Sequence, residues 1–305
     1  MLRSSLLWAS TNPFLARRMP SYGFVRRAVR RFMPGETPED ALREAARMGA
    51  GGVPTVVTWL GENVHSVAEA RDVADGYRAL AATVKERGLD VELSVKPTHL
   101  GLEHGVDVAV GHIEAIAEVA RGIVWIDMEG SAHVDSTLAV WGAVRDRTPD
   151  VGICLQAYLH RTENDLERLL PRTPNIRLVK GAYREPSDIA MERKSQVDES
   201  FRRLTSRMLR ERAAGRMGKV AVATHDRRLI ADAGRVAFEI GLPSDAWEIE
   251  MLYGIATEEQ RRLVSAETPL RVLISYGEHW FPWYMRRLAE RPANVGFVLK
   301  QLVAR

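Results

Sequence analysis

Short apolar runs alternate with longer stretches of helical period along most of this chain. Eight runs are rich in β-branched residues and have the length of buried strands. They are VPTVVTWLG (53–61), VELSVK (91–96), IVWIDME (123–129), VGICLQAY (151–158), NIRLVKGAY (175–183), KVAVATHD (219–226), WEIEMLYG (247–254) and LRVLISYG (270–277). The segments between them have helical periodicity, and one begins at a capping aspartate, Asp226, and stops at Gly241. Strands that alternate with helices predict a parallel sheet with right-handed crossovers.

Eight strand–helix units determine the expected fold class. It is α/β, and a closed (β/α)8 TIM-type barrel, with room for distortion, suits eight units better than an open doubly wound sheet. The glycines Gly49, Gly51 and Gly52 precede the first strand, so they do not form a dinucleotide-binding fingerprint. No proline-rich linker divides the chain. We therefore expect an N-terminal helical arm (1–50) and one catalytic barrel (51–305).

Composition and charge exclude several classes of protein. Apolar residues make up 46% of the 305 residues, but no uninterrupted apolar stretch is long enough to span a bilayer. The 43 Lys and Arg nearly balance the 40 Asp and Glu, so we expect no nucleic-acid partner. A single cysteine, Cys154, predicts a reducing compartment, and the segment SSLLWAS is too short and polar for a secretory signal. We expect a cytoplasmic protein.

The N-terminal arm has a basic amphipathic pattern. Six arginines (Arg17, Arg18, Arg26, Arg27, Arg30 and Arg31) stand among aromatic and aliphatic residues such as Phe14, Tyr22, Phe24 and Phe32. Such a segment can contact anionic lipid, which would place the protein peripherally at the inner face of the membrane. The commoner alternative is a helix that packs on the domain and turns a basic face to solvent.

Polar residues stand repeatedly at the ends of the predicted strands. They are Lys96, Asp127, Glu129, Gln156, Tyr158, Arg177, Lys180, Thr224, His225 and Asp226. In a (β/α)8 barrel the carboxyl ends of the strands form the open face that carries the active site. Buried polar groups are costly unless they are paired, so their recurrence on five strands favours a functional site over isolated caps.

The last predicted helix carries two adjacent arginines. In WYMRRLAERPAN (283–294), Glu290 lies four residues after Arg286 and three after Arg287, so one carboxylate can order both guanidinium groups. A pair held in this way is typical of a clamp for a carboxylate or phosphate. A surface ion-pair network fits the spacing equally well.

Taken in order and spacing, the strings ELSVKPTHLG, IDME, LQAY, RLVKGAY, VATHD, EMLYG and R-R-x-x-E resemble the proline dehydrogenases, in particular the monofunctional bacterial type. These are flavin enzymes on a distorted (β/α)8 barrel, and the resemblance covers roughly residues 55 to 300. It implies that FAD binds at the strand ends. It also implies that L-proline is oxidised to 1-pyrroline-5-carboxylate by hydride transfer to the flavin, with a quinone as the electron acceptor.

The resemblance also implies a role for individual residues. Lys96, Arg286 and Arg287 would hold the substrate carboxylate, Glu290 would orient the arginines, and Asp127 would anchor Lys96. Tyr183 and Leu252 would pack against the substrate ring. The implied cofactor contacts are Arg177 beside the flavin N5 edge, Gln156 beside its pyrimidine portion, Val179, Lys180, Gly181 and Ala182 along the ribityl and phosphate chain, and Met128, Thr224 and His225. No bound metal is expected.

General chemistry agrees with this assignment. A cation beside the flavin stabilises the negative charge that reduction adds, which suits Arg177. A glycine such as Gly181 lets backbone amides approach a phosphate. We expect FAD to offset the cost of placing Arg177 and Lys180 in an apolar strand. The cationic clamp is also expected to lower the pKa of the bound amine, which must be unprotonated to react.

Departures from the family pattern leave alternatives open. Where the family has a tyrosine in the last strand, this chain has Leu273, and Trp283 stands where a tyrosine often leads the R-R-x-x-E helix. The substrate could therefore be 4-hydroxyproline or another cyclic amino acid. A different reaction on the same barrel would use Lys96 as a Schiff-base nucleophile. A further alternative is a barrel that binds an anion and has lost catalysis.

Overall fold

Eight parallel strands close into a barrel in the computed structural model, which describes residues 2–10, 12–19 and 22–290. The strands follow one another around the barrel in chain order. They are β1 (Thr55–Trp59), β2 (Val91–Val95), β3 (Val124–Ile126), β4 (Val151–Gln156), β5 (Asn175–Val179), β6 (Val220–Ala223), β7 (Trp247–Leu252) and β8 (Leu270–Tyr276). The predicted barrel is confirmed, and every strand is shorter than its apolar run because the last residues of each run turn into the following loop.

Twelve α-helices accompany the strands within the described residues. Four precede the barrel: α1 (Leu2–Ser10), α2 (Pro13–Arg18), α3 (Gly23–Val29) and α4 (Pro38–Ala50). The others follow the strands in turn: α5 (Val67–Glu86), α6 (Val106–Ala117), α7 (Val134–Arg145), α8 (Thr162–Leu169), α9 (Lys194–Ala213), α10 (Arg227–Glu239), α11 (Thr257–Ser265) and α12 (Trp280–Glu290). The predicted cap is present, because the Asp226 side chain accepts a hydrogen bond from the Arg228 backbone N–H at the start of α10.

The two faces of the strands have different surroundings. Outward-facing residues such as Ile126, Ile153 and Leu178 are fully buried against the surrounding helices in one continuous apolar core. Each such side chain contributes roughly 1.5–3 kcal/mol through burial. Inside the barrel, a small apolar cluster of Val56, Trp125 and Ala221 lies among buried charged side chains. The polar residues in the strands therefore point to the interior of the barrel.

The barrel is distorted at its last helix. The apolar face of α4, with Ala41, Leu42 and Ala45, packs in the main core next to β1 and β8, on the flank where an eighth helix usually lies. Helix α12 instead joins a second cluster with Val25 and Val29 of the N-terminal segment. The helix after β8 thus lies over the open end of the barrel, between the N-terminal helices and the strand ends.

The N-terminal segment is in close contact with the barrel. Gly254, after β7, has φ +72°, and a Cβ there would lie 1.7 Å from the backbone oxygen of Arg31. Only glycine accommodates this approach. The division into an arm (1–50) and a barrel (51–305) stays a prediction, since packing does not test whether residues 51–305 fold alone. Among the described residues, no helix combines the length and apolar composition needed to cross a bilayer.

Candidate active site

A cavity of about 1410 Å³ opens at the carboxyl ends of the strands. Such a volume exceeds the roughly 300–1,000 Å³ of an ordinary small-molecule site, so there is room for a large ligand and a small one together. The five cationic side chains predicted for the site all line this one cavity: Lys96, Arg177, Lys180, Arg286 and Arg287. The other predicted site residues that line it are Asp127, Met128, Gln156, Val179, Gly181, Ala182, Tyr183, Thr224, His225 and Leu252.

Lys96 and Asp127 form a buried ion pair at the ends of β2 and β3. The Lys96 ammonium donates to Asp127 Oδ2 at 3.0 Å, and the Ser94 hydroxyl donates to Oδ1 at 2.7 Å. Burial works to lower the pKa of Lys96, but the Asp127 and Glu62 carboxylates outweigh it and the pKa lies above its ordinary value. A Schiff-base nucleophile needs a neutral amine. The electrostatics therefore oppose the lyase alternative.

Arg177 lies across the barrel interior, 2% exposed, and is held on three sides. Its Nη1 donates to Ser94 Oγ at 2.8 Å and to Asp127 Oδ1 at 3.3 Å. Its Nε lies 2.6 Å from Glu250 Oε2, and its guanidinium carbon lies 4.6 Å from the centre of the Trp125 ring. The protein itself thus supplies carboxylates that offset the cost of burying this cation, which the sequence did not reveal.

Lys180 likewise has counter-charges at the rim of the cavity. Its ammonium lies 2.5 Å from Asp198 Oδ1 and 3.4 Å from Asp226 Oδ2. Gly181 follows with φ +113°, and a Cβ there would lie 2.2 Å from the Tyr158 ring. The strained φ and the Tyr158 ring therefore account for this glycine without any contact to phosphate.

Gln156 and His225 have well-defined hydrogen bonds. The Gln156 side-chain amide donates to the backbone oxygens of Met128 and Glu129, both at 2.8 Å. Its Oε1 is buried and has no hydrogen-bond partner among the residues that the structure describes. His225 Nε2 accepts from the backbone N–H of Leu252 at 2.9 Å, so a neutral ring carries its proton on Nδ1. Gln156 Oε1 is therefore available to accept a hydrogen bond from an N–H group of a ligand.

Arg286 and Arg287 lie at the cavity on α12, and Arg286 has a partner that the helical spacing did not indicate. Arg286 Nη2 donates to Glu62 Oε1 at 2.6 Å, and its guanidinium carbon lies 5.4 Å from the centre of the Tyr183 ring. Burial works to lower the pKa of Arg286, and the Glu62 carboxylate outweighs it. The predicted partner Glu290 ends α12, and its side chain lies outside the described part of the structure.

Glu62 and Glu250 are functional candidates that the sequence did not indicate. Glu62 lies in the loop after β1, 224 positions before its partner Arg286. Glu250 belongs to the string EMLYG, but its position inside strand β7 gave it the appearance of an ordinary strand residue. Both partnerships arise from closure of the barrel, and no local spacing predicts them.

Tyr183, Leu252 and Leu273 supply the apolar part of the cavity wall. Burial, reinforced by the Glu62 carboxylate, raises the pKa of the Tyr183 phenol well above its ordinary value, so it stays protonated. Leu273, on β8, also packs against the small cluster inside the barrel. Met128 and Trp283 line the same cavity and are themselves almost wholly buried. The arrangement provides a cationic mouth with an apolar wall beside it.

Comparison with known proteins gives consistent results. Residues 41–300 match the proline dehydrogenase family. Proline dehydrogenase 1 of Bacillus subtilis (strain 168) is 37% identical over 306 residues, which cover 99% of each chain. Proline dehydrogenase of Deinococcus radiodurans is 34% identical over 281 residues, covering 90% of this chain and 89% of that protein.

Solved structures give a similar fold. Proline utilization A from Bdellovibrio bacteriovorus, inactivated by N-propargylglycine, superposes with a TM-score of 0.79 at 22% identity over 95% of this chain. The protein of the same name from Corynebacterium freiburgense superposes with a TM-score of 0.74 at 20% identity over 99% of this chain. The chain spans 36% and 34% of these longer proteins, and the likeness to them concerns the barrel fold.

Proposed function

The chain belongs to the proline dehydrogenase family and oxidises proline with a flavin, and from this premise we propose that FAD and L-proline occupy the cationic cavity together. The observation that carries the proposal is the meeting of Lys96, Arg177, Lys180, Arg286 and Arg287 around one cavity. These side chains come from β5, from α12 and from the loops that follow β2 and β5. Their convergence supplies positive charge both for the phosphates of FAD and for the carboxylate of proline.

The residues present fit FAD. The buried, unpartnered Oε1 of Gln156 suits the ring N–H of a flavin, and a buried acceptor gains from being paired. Lys180 lies at the rim with the exposed Lys194, where positive charge suits a pyrophosphate. Arg177 would lie along the flavin, with Met128, Val179, Gly181, Ala182, Thr224 and His225 as further contacts. FAD held by these residues would supply the acceptor for the hydride.

Lys96, Arg286 and Arg287 would bind the proline carboxylate, and Asp127 would hold the Lys96 ammonium in place. Tyr183 and Leu252 would pack on the ring and exclude water. The cations also act on the amine, because positive charges nearby disfavour a protonated ammonium. The enzyme thereby favours the neutral amine, whose lone pair is needed for the product, 1-pyrroline-5-carboxylate, to form.

The experiment is a spectrum and a thermal melt of the purified protein with and without FAD. We expect a yellow protein that proline bleaches under anaerobic conditions, since hydride transfer removes the flavin absorbance. Saturating FAD at about 100 times its Kd should stabilise the folded state by about 2.7 kcal/mol. The bleaching rate should rise with pH as the bound amine loses its proton. A colourless protein whose melting temperature ignores FAD would contradict the proposal, and a flat pH profile would contradict the role of the cations.

The range of substrates is measured in the same bleaching experiment. Leu273 lines the cavity where the family has a tyrosine, and a change of one group in a pocket discriminates by about 1–3 kcal/mol. We propose that 4-hydroxyproline is also accepted. Bleaching by proline alone, with no reaction of 4-hydroxyproline, would contradict this extension and leave the main proposal intact.

We propose that a membrane quinone reoxidises the flavin and that the N-terminal helices contact the bilayer. Their inward residues Leu6 and Leu15 pack on the cluster with α12. Trp8 and Phe14 are 59% and 66% exposed, and Arg17, Arg18, Arg27, Arg30 and Arg31 are exposed as well. Exposed aromatic and basic side chains together suit an anionic lipid surface. This face adjoins the mouth of the cavity, which Arg31 also lines.

Sedimentation with vesicles tests this contact. We expect binding to vesicles that contain anionic lipid, weaker binding to zwitterionic ones, and a several-fold loss in the double variant Trp8→Ser, Phe14→Ser. Phe238→Ser is the matched control, since Phe238 on α10 is 88% exposed but lies outside the N-terminal helices. Equal loss in both variants, or no binding by the unaltered protein, would overturn the membrane contact.

A further inference from the structure

A layer of paired charges lies inside the barrel beneath the cavity. Lys219 Nζ lies 2.9 Å from Glu92 Oε1 and 2.9 Å from Glu248 Oε1. Arg271 Nε lies 3.0 Å from Glu248 Oε1, and the Trp125 indole N–H donates to Glu92 Oε2 at 2.6 Å. These side chains come from strands on all sides of the barrel, so the layer closes its interior.

Glu92, Glu248 and Glu250 bring carboxylate oxygens within 4.8 Å of one another, which is close enough for a shared cation. Lys219 and Arg271 already contact Glu92 and Glu248, however, and their positive charges fill the role that a metal ion would have. The group is therefore a set of ion pairs. Glu250 differs from the other two, because its ion pair is with Arg177, on the side of the cavity.

Glu250 separates this layer from the cavity. Its side chain is 2% exposed and lines the cavity, with Oε2 2.6 Å from Arg177 Nε. Its Oε1 is buried and has no hydrogen-bond partner in the described part of the chain. The opposite side of the guanidinium contacts Ser94 and Asp127, and Trp125 lies against its face. Glu250 is thus the contact that completes the seating of Arg177.

The surroundings of Glu250 disfavour its negative charge. Burial raises the pKa of Glu250 to about 7, and Glu248 of its own strand and Glu92 of β2 add to the rise. Arg177 of β5 and Lys219, just before β6, act in the opposite direction. Arg271 of β8 faces Glu248 and Glu92, and the buried Cys154 of β4 lies near Arg177 and Glu250. The folded protein therefore holds a proton on Glu250 over a range where an exposed glutamate would have lost it.

We propose that Glu250 is a positioning residue that seats Arg177 and, by carrying or losing its negative charge, sets how much positive charge Arg177 presents to the flavin. The proposal rests on the proposed function, because it requires Arg177 to face a bound flavin. An ionised Glu250 offsets the guanidinium charge, whereas a protonated one leaves that charge available. Since a nearby cation stabilises the negative charge that reduction adds, ionisation of Glu250 should make the flavin a weaker oxidant.

The test is the midpoint potential of the bound flavin in the holoenzyme, measured across the pH range around neutrality. Glu250→Gln keeps the size of the side chain and removes its charge. At pH 8 we expect this variant to favour reduced flavin about tenfold relative to the unaltered enzyme, which is about 30 mV for a two-electron couple. The difference should shrink as the pH falls below about 7, because the native Glu250 then takes up a proton.

Glu248→Gln is the matched control, since it removes a carboxylate from the same buried layer that contacts Lys219 and Arg271 instead of Arg177. It should lower the melting temperature and leave the potential at pH 8 near that of the unaltered enzyme, whereas the pH-dependent change should move to lower pH because Glu248 adds to the raised pKa of Glu250. Glu250→Asp keeps an ionisable group, so the potential of its flavin should keep a pH dependence like that of the unaltered enzyme. This variant provides the test if Glu250→Gln does not fold. Equal potentials for Glu250→Gln and the unaltered enzyme at pH 8, or the same shift in Glu248→Gln, would overturn the proposal.

Different results contradict the proposed function and the role of Glu250. An unaltered protein that binds no flavin, or whose flavin proline does not reduce, contradicts the proposed function. An enzyme that does both, with a potential that ignores Glu250→Gln, contradicts only the role of Glu250.

Discussion

Replacement of Lys96 by methionine should lower kcat/KM for proline by roughly a hundredfold or more. Truncating one partner of a buried ion pair costs about 2–5 kcal/mol, much of it from the charge that is left unpaired. Here the change removes one cation that would bind the substrate carboxylate, and it leaves Asp127 with only Ser94 and Arg177 as partners. Methionine has nearly the same length, so the cavity keeps its shape.

Steady-state kinetics with a quinone dye measure this effect, and the flavin spectrum shows that the cofactor site is intact. Lys85→Met is the matched control. Lys85 is exposed in the last turn of α5, just before β2 and so at the end of the barrel opposite the cavity, and the same change there should leave kcat/KM unaltered. A Lys96→Met enzyme with nearly native kcat/KM would show that Lys96 does not contact the substrate.

Replacement of Arg286 by lysine should raise KM for proline by roughly thirtyfold, which corresponds to about 2 kcal/mol for a lost charge-assisted contact. Lysine keeps the charge but lacks the planar fork that binds a carboxylate through two hydrogen bonds. It would also lose the stacking on Tyr183 and weaken the contact with Glu62. Because the contact is made before and during the reaction, kcat should change by no more than about twofold.

Arg203→Lys is the control for this substitution. Arg203 pairs with Glu163 across the surface at 2.9 Å and is 54% exposed, so the same chemical change there should leave KM unaltered. If Arg286→Lys lowered kcat and left KM at its native value, Arg286 would act on the reaction and not on substrate binding. An unchanged KM and kcat would remove it from the site altogether.

The barrel and most of its mouth were predictable from the sequence because both follow from periodic signals. The eight strands and the Asp226 cap emerged from local patterns, and the gathering of Lys96 and Asp127 followed from the rule that strand ends converge. The fold therefore needed no information beyond neighbouring residues and the length of each segment.

The counter-charges of Arg286 and Arg177 could not be predicted, since each lies far along the chain from the cation it pairs with. Arg286 contacts Glu62 in the first βα loop, a partner that the helical spacing of the R-R-x-x-E string does not indicate. Arg177 meets Glu250 because β5 and β7 lie on either side of β6 and both side chains point into the barrel. Gly181 illustrates a different limit: a glycine suits phosphate and suits an aromatic neighbour equally, and only the fold shows that Tyr158 lies beside it.

The position of α12 links the proposed substrate-binding arginines to the N-terminal helices, which lie outside the barrel. One face of this helix presents Arg286 to the cavity, and the other, with Trp280 and Tyr284, is covered by Val25 and Val29 instead of by a strand. The position of Arg286 and Arg287 therefore depends on the packing of the N-terminal helices against α12. A change in the packing of the N-terminal helices on α12 would move Arg286 relative to the proposed substrate carboxylate. The affinity for proline would then change without any change in the barrel strands.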